Sequence, residues 1–156
     1  MRSGTAADNA MAKLSELMNT SVVTVSPDTT VTEAAAAMVR ARAGSVIVLQ
    51  GSFLAGIMTE RDVLRAAASG EDLTVSLVSA WMSRDPQAAS PDMSGDEAAQ
   101  IMLLNGFRHL PVVDGRVVCG VVSIRDLFAA KIRRPAPTSS APSRPASGPP
   151  RSGLTA

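Results

Sequence analysis

The sequence predicts an α+β fold built from two β-α-β-β-α repeats arranged as one pseudo-twofold body. Three observations carry that reading. First, Gly56-Ile-Met-Thr59-Glu-Arg61-Asp62 recurs as Gly120-Val-Val-Ser123-Ile-Arg125-Asp126. The offset that carries Asp62 onto Asp126 also carries Pro27-Asp28 onto Pro91-Asp92, Glu33 onto Glu97, Met18 onto Met82, Met38 onto Met102 and Gly51 onto Gly115. Second, helical and strand periodicities alternate in the same order in both halves. Third, a repeat of this length is one supersecondary unit that buries its apolar face against its neighbour, which leaves a groove between equivalent parts.

The elements follow in order. Residues 11–19 read as a short helix and 22–25 as a brief strand. Residues 31–43 form a helix, because Val31, Ala34, Ala35, Met38 and Val39 keep the spacing of one helical face. Thr30 and Glu33 form its capping box. Residues 45–49 and 53–58 are strands around a turn at Gln50-Gly51. A helix begins after Thr59 and stops near Ser69-Gly70. In the second repeat, residues 75–82 read as helical, with Leu77, Val78, Trp81 and Met82 on one side. Ser94 and Glu97 cap a helix whose stripe is Ala98, Ala99, Met102 and Leu103. Residues 109–113 and 117–122 are strands around Asp114-Gly115, a strong hairpin signal. The last helix runs from 124 to about 132. The expected organisation is a flexible N-terminus (1–11), a first repeat (12–69), a linker (70–75), a second repeat (76–132) and a disordered tail rich in Pro, Ser and Ala (133–156). The tail lacks any periodicity that would supply a core.

Composition narrows the function. In 156 residues, 46% are hydrophobic, enough for a packed core, and the net charge is +1. That balance gives no global attraction to nucleic acid or membrane. Aromatics make up 3%, so base stacking on an aromatic platform is not expected. Arg133, Arg134, Arg144 and Arg151 give the tail some affinity for acidic partners, but a solvated tail is the stronger reading. A single cysteine, Cys119, excludes an internal disulfide and any cysteine-cluster metal site. It lies in an apolar strand, its counterpart in the first repeat is Ala55, and it reads as a small buried hydrophobe. One histidine removes histidine-rich zinc chemistry. The N-terminus has no apolar signal-peptide region and no stretch is long enough to span a bilayer, so the expected compartment is cytoplasmic.

The repeated motif carries the chemistry. A Thr or Ser followed three residues later by an acid is first a capping box. Two features point further. The long helices use Glu33 and Glu97 at that position, whereas the helices after the hairpins use the shorter Asp62 and Asp126. Arg61 and Arg125 place a cation in the first turn, against the helix dipole, which makes sense if an anion shares that terminus. Hydroxyl, guanidinium and carboxylate within four residues read as phosphate-plus-ribose chemistry. A purine then needs an apolar slot between strands, for which Val22, Val23, Val46 and Ile47 are candidates, with Pro86 and Pro111 from the second repeat.

The chain resembles a tandem pair of CBS domains, the module named after cystathionine beta-synthase. The residues that carry the resemblance are Ser26-Pro-Asp-Thr-Thr-Val-Thr-Glu-Ala-Ala, the run from Gly56 to Asp62, and Arg108-His109-Leu110-Pro111-Val112-Val113-Asp114-Gly115. It covers about residues 12–132. The resemblance implies two repeats packed sheet to sheet, the arrangement called a Bateman module. It implies regulation by adenosine-containing ligands, namely AMP, ADP, ATP or S-adenosylmethionine, with no other cofactor required. By the family pattern, Thr59 and Ser123 face phosphate and Asp62 and Asp126 face ribose; Arg61 and Arg125 join the phosphate side by the donor argument above. The strand start of one repeat faces the phosphates held by the other's motif. Arg108 and His109 therefore serve the Thr59–Asp62 side, whereas the Ser123–Asp126 side meets only Gly44 and Ser45. The repeat-one strand also has Ile47 where repeat two has Pro111.

The reading is a non-enzymatic regulatory module that acts through an unknown protein partner or through oligomerisation. The alternative is a stress-associated CBS-pair scaffold that binds a protein, its ligand sites vestigial. A homodimer is expected, because Met38, Met102, Trp81 and the alanines of 34–37 offer close-packing apolar surface.

Overall fold

The computed structural model describes residues 10–133. Residues 1–9 of the expected flexible start (1–11) and residues 134–156 of the expected tail (133–156) lie outside the described residues.

Twelve elements follow in chain order: α1 (Leu14–Leu17), β1 (Thr24–Val25), α2 (Val31–Ala41), β2 (Ser45–Gln50), β3 (Phe53–Thr59), α3 (Glu60–Ala68), α4 (Val78–Trp81), β4 (Ser83–Arg84), α5 (Gly95–Asn105), β5 (His109–Asp114), β6 (Val117–Ser123) and α6 (Ile124–Arg133). The fold is α+β with two repeats of the expected plan. In the first, β1 runs parallel to β2, β2 pairs antiparallel with β3, and β4 closes the sheet against β3. In the second, β5 and β6 form the hairpin. Single bridges stand where the first sheet has outer strands: Ala89 beside Val112, and Asn19 beside Val121. The hairpins match residue for residue. Ser45 faces Thr59 as His109 faces Ser123, and both ladders shift at equivalent places, Val48/Leu49 and Val112/Val113.

The helices before each repeat are shorter than periodicity predicts. Residues 75–82 yield only Val78–Trp81, and 11–19 only Leu14–Leu17. The reason is competition for backbone groups. Ser76 and Leu73 spend their carbonyls on the N–H groups of Val31 and Thr32, and Val78 N–H donates to Thr29. At the other end, Ala12 accepts from Gly95, and Leu14 donates to Met93. These segments satisfy the open first turns of α2 and α5 instead of extending their own helices.

That docking crosses the repeats. Val78, Trp81 and Met82 pack into the first core with Val31, Ala34, Met38, Val46, Val48 and Met58. Met11, Leu14 and Met18 pack into the second, with Ala98, Met102, Leu110, Val122 and Leu127. Each repeat is thus closed by the segment that precedes the other. The structure corrects the expected basis for a homodimer. Met38, Met102 and Ala34 are buried inside these cores, and Trp81 is half-buried against the first, its indole N–H bonded to Ser76 Oγ. Their methylene and methyl groups fill the internal space that the scarce aromatics leave.

Helix α2 ends at Ala41, two residues short of the expected range 31–43. Arg42 stops it in the left-handed region at φ 52°, where repeat two uses Gly106 at φ 74°. A side chain at such an angle costs roughly 1–2 kcal/mol.

Candidate functional site

The two motifs sit where a hairpin's second strand turns into a helix. In the first, Thr59 ends β3 and Asp62 lies in the first turn of α3. Asp62 Oδ2 accepts the Thr59 backbone N–H at 2.8 Å and the Thr59 hydroxyl at 2.9 Å. Asp62 Oδ1 accepts Arg65 Nη1 at 3.1 Å. In the second motif, Asp126 Oδ2 accepts from Ser123 N and from Ser123 Oγ, at 2.9 and 2.6 Å. The capping role is therefore realised in both copies. What differs is the setting. Asp62 is 6% exposed, whereas Asp126 stands open to solvent.

A cleft of about 380 Å³ opens beside the first motif. One wall is repeat one: Gly44, Ile57, Thr59, Glu60, Arg61, Asp62 and Arg65. The other comes from repeat two and the segment leading into it: Ser83, Pro86, Gln87, and Gly106 through His109. The cleft thus joins Thr59, Arg61 and Asp62 to Arg108 and His109 across the repeats. Within each repeat the start of the hairpin is tied to the start of the helix that follows it. Gly44 carbonyl accepts from Glu60 N, and Arg108 carbonyl accepts from Ile124 N, the equivalent bond in the other repeat. Gly44 also leaves room for the imidazole, since a Cβ there would stand 3.0 Å from His109 Nε2.

His109 is the electrostatic hinge of the cleft. Burial pushes its pKa below the usual 6.5. The carboxylates of Glu60 and Asp126 pull it back up, and the Arg108 guanidinium adds to the depression. One imidazole therefore feels an acid from each motif. A desolvated neutral imidazole accepts a proton readily once an anion arrives beside it.

Of the six residues read as an apolar slot, only Pro86 lines this cleft. Val46 turns into the first core beside Val48 and Met58. Ile47 and Pro111 are buried on the opposite faces of their strands, because side chains alternate along a strand. Val22 and Val23 are half-buried and hold the positions that Pro86 and Gln87 hold in the other repeat. They thus belong on the Ser123–Asp126 side; Val23 also packs on the first core. Ser123 is partly buried, and Arg125 and Asp126 are exposed and outside the cleft. Sequence reasoning missed Arg65, Gln87 and Phe107. Arg65 was within reach of it, since residues three apart share a helix face with Asp62. Among the described residues no group of three His, Cys, Asp or Glu side chains is placed to hold a metal ion. No helix there is long and apolar enough to cross a membrane.

A hairpin sheet backed by helices, written twice, with a cleft at the strand-to-helix turn, defines a pair of CBS domains. The chain belongs to the CBS domain family, whose model matches residues 14–69 and 78–133. It is 37% identical over 118 residues to the CBS domain-containing protein YhcV of Bacillus subtilis, covering 75% of this chain and 84% of that one. Among solved structures, a putative signal-transduction protein with CBS domains from Burkholderia ambifaria aligns at TM-score 0.76 and 28% identity, over 83% of this chain and all (100%) of that one. A CBS domain protein from Pyrobaculum aerophilum, complexed with AMP, aligns at TM-score 0.69 and 27% identity, over 74% of this chain and 89% of that one.

Proposed function

We propose that the chain is a non-enzymatic regulatory module that binds an adenosine-containing nucleotide in the cleft beside Thr59. The observation that carries this reading is the meeting of Thr59, Arg61 and Asp62 with Arg108 and His109 in one cleft. Arg61, Arg108 and His109 serve the phosphates, with the first turn of α3 adding its positive dipole end. Asp62 takes the ribose hydroxyls through Oδ1, and Ile57 and Pro86 offer the base an apolar side. The AMP complex of the Pyrobaculum aerophilum relative supports the ligand class. Ser123, Arg125 and Asp126 make a second, weaker site, because they lie outside the cleft and Asp126 stands open to solvent. The output passes through a partner or through self-association. Thermal unfolding with AMP, ADP, ATP, S-adenosylmethionine and NAD tests the reading. A ligand at about 100 times its dissociation constant adds roughly 2.7 kcal/mol. No stabilisation at millimolar concentration by any of them rejects it.

A second reading is a scaffold that binds a protein with no ligand. It is favoured by one observation: Thr59 and Ser123 already hold Asp62 and Asp126, so each motif has a capping role without a nucleotide. It predicts partner capture that is indifferent to Asp62→Asn.

A further inference from the structure

We infer that Arg65 makes the first cleft count phosphates, favouring an adenosine triphosphate over a monophosphate and over a cationic adenosyl sulfonium. The inference rests on the nucleotide reading of this cleft and names which member of that class it takes.

The argument begins with the valence of Asp62. Its Oδ2 is filled by the N–H and hydroxyl of Thr59. Only Oδ1 is open to a ribose hydroxyl, and Arg65 Nη1 sits on it at 3.1 Å. The Arg65 side chain is 62% exposed, so this ion pair is weak and easily exchanged. Oδ1 has two acceptor sites, so a diol that donates both of its hydroxyls to it displaces a guanidinium that lines the same cleft.

The freed cation needs an anion. Arg61 and Arg108 already line the cleft, so its wall carries three guanidinium groups against the carboxylates of Glu60 and Asp62. One phosphate is served by Arg61, Arg108 and His109. An outer phosphate is what Arg65 lacks, and its planar fork of donors suits that group. A sulfonium ligand does the reverse: it evicts Arg65 and adds a positive charge beside three others.

Repeat two provides the internal contrast. Ala129 holds the position equivalent to Arg65, and among the described residues Asp126 Oδ1 takes no hydrogen bond. The two motifs are alike in hydroxyl, arginine and aspartate; besides Glu60 against Ile124 and the deeper burial of Asp62, only the first carries this guanidinium.

The test is calorimetric titration of the full chain and of Arg65→Gln and Arg65→Lys with AMP, ADP, ATP and S-adenosylmethionine. The expected result is affinity rising with each phosphate in the parent chain. Arg65→Gln then lowers ATP affinity tenfold or more, about 1.4 kcal/mol per factor of ten, and leaves AMP within twofold. Arg65→Lys falls between. A loss shared equally by all ligands, or a parent chain that binds AMP as tightly as ATP, overturns the inference. Inorganic tripolyphosphate separates it from the nucleotide reading. If no adenosine compound binds but tripolyphosphate raises the unfolding midpoint of the parent chain more than that of Arg65→Gln, phosphate counting stands and the adenosine reading fails. If neither compound class separates the two proteins, Arg65 has no such role.

Discussion

Met82 lies across Gly56 so closely that a Cβ on the glycine would stand 2.6 Å from its sulfur. The equivalent pair, Met18 and Gly120, is packed the same way. Each methionine belongs to the segment that precedes one repeat, and each glycine to the strand of the other. The repeated Gly and the repeated Met are thus one device, a close approach that seats the exchanged segment on the hairpin. That seating carries Ser83, Pro86 and Gln87 to the cleft.

Gly56→Ala should destabilise the fold by about 1–3 kcal/mol, the usual cost of forcing a methyl into a filled space. Ser83 carbonyl, 2.8 Å from the same Cβ, is backbone and cannot swing away. Gly51→Ala provides the control: nothing stands within 4 Å of its Cβ, so its cost comes only from φ +62°. Urea unfolding of the two variants and of Gly120→Ala checks this. Unchanged stability for both Gly56→Ala and Gly120→Ala would show that the segments do not press on the strands.

His109 should give the protein an acid-sensitive step. Above pH 6.5 the imidazole is neutral in both folded and unfolded chains and contributes nothing. As pH falls through 6.5 the unfolded chain protonates first, because the folded pKa is the lower. Stability then drops by at most about 1.4 kcal/mol per pH unit until the folded value is passed. Glu33, held low by Thr30, acts only below its ordinary 4.5, so the windows are separate. Unfolding midpoints between pH 7 and 5 should slope for the parent chain and flatten for His109→Gln. Nucleotide affinity should rise over the same interval, since a phosphate favours the imidazolium. A parent slope that survives His109→Gln would contradict the assignment.

Self-association should depend on exposed apolar residues rather than on the buried Met38, Met102 and Ala34. Leu64 on α3 and Phe128 on α6 occupy equivalent positions and are 71% and 57% exposed. Val39 and Leu103, on α2 and α5, are a second exposed equivalent pair. A twofold contact is the commonest way to cover such faces. Light scattering at tens of micromolar should give a dimer mass for the parent chain and a monomer for Leu64→Glu combined with Phe128→Glu. A parent monomer with and without nucleotide would remove the homodimer.

The repeat made most of this fold legible. Constant spacing between motifs fixed both hairpins, and capping pairs such as Thr30–Glu33 placed helix starts to the residue. What pattern could not convey was exchange. Nothing in the periodicity of 11–19 or 75–82 says that their backbone groups cap another repeat's helix, and so both helices came out short. The polar half of the candidate site was readable because Thr59, Arg61 and Asp62 are contiguous. The apolar half was not, because strand alternation sends Val46 inward and depends on which face meets the other sheet. Arg65 escaped because Ala129 stands in its place in the other copy, so the repeat gave no signal there.

The central claim is that the cleft between Asp62 and His109 holds an adenosine nucleotide. Titration of Asp62→Asn and Asp126→Asn against the parent chain tests it most directly. Asp62→Asn should weaken binding by about 1.5–3 kcal/mol, the worth of a hydrogen bond to a charged group, and Asp126→Asn should weaken it far less. Equal losses, a larger loss for Asp126→Asn, or no binding by the parent chain would contradict it.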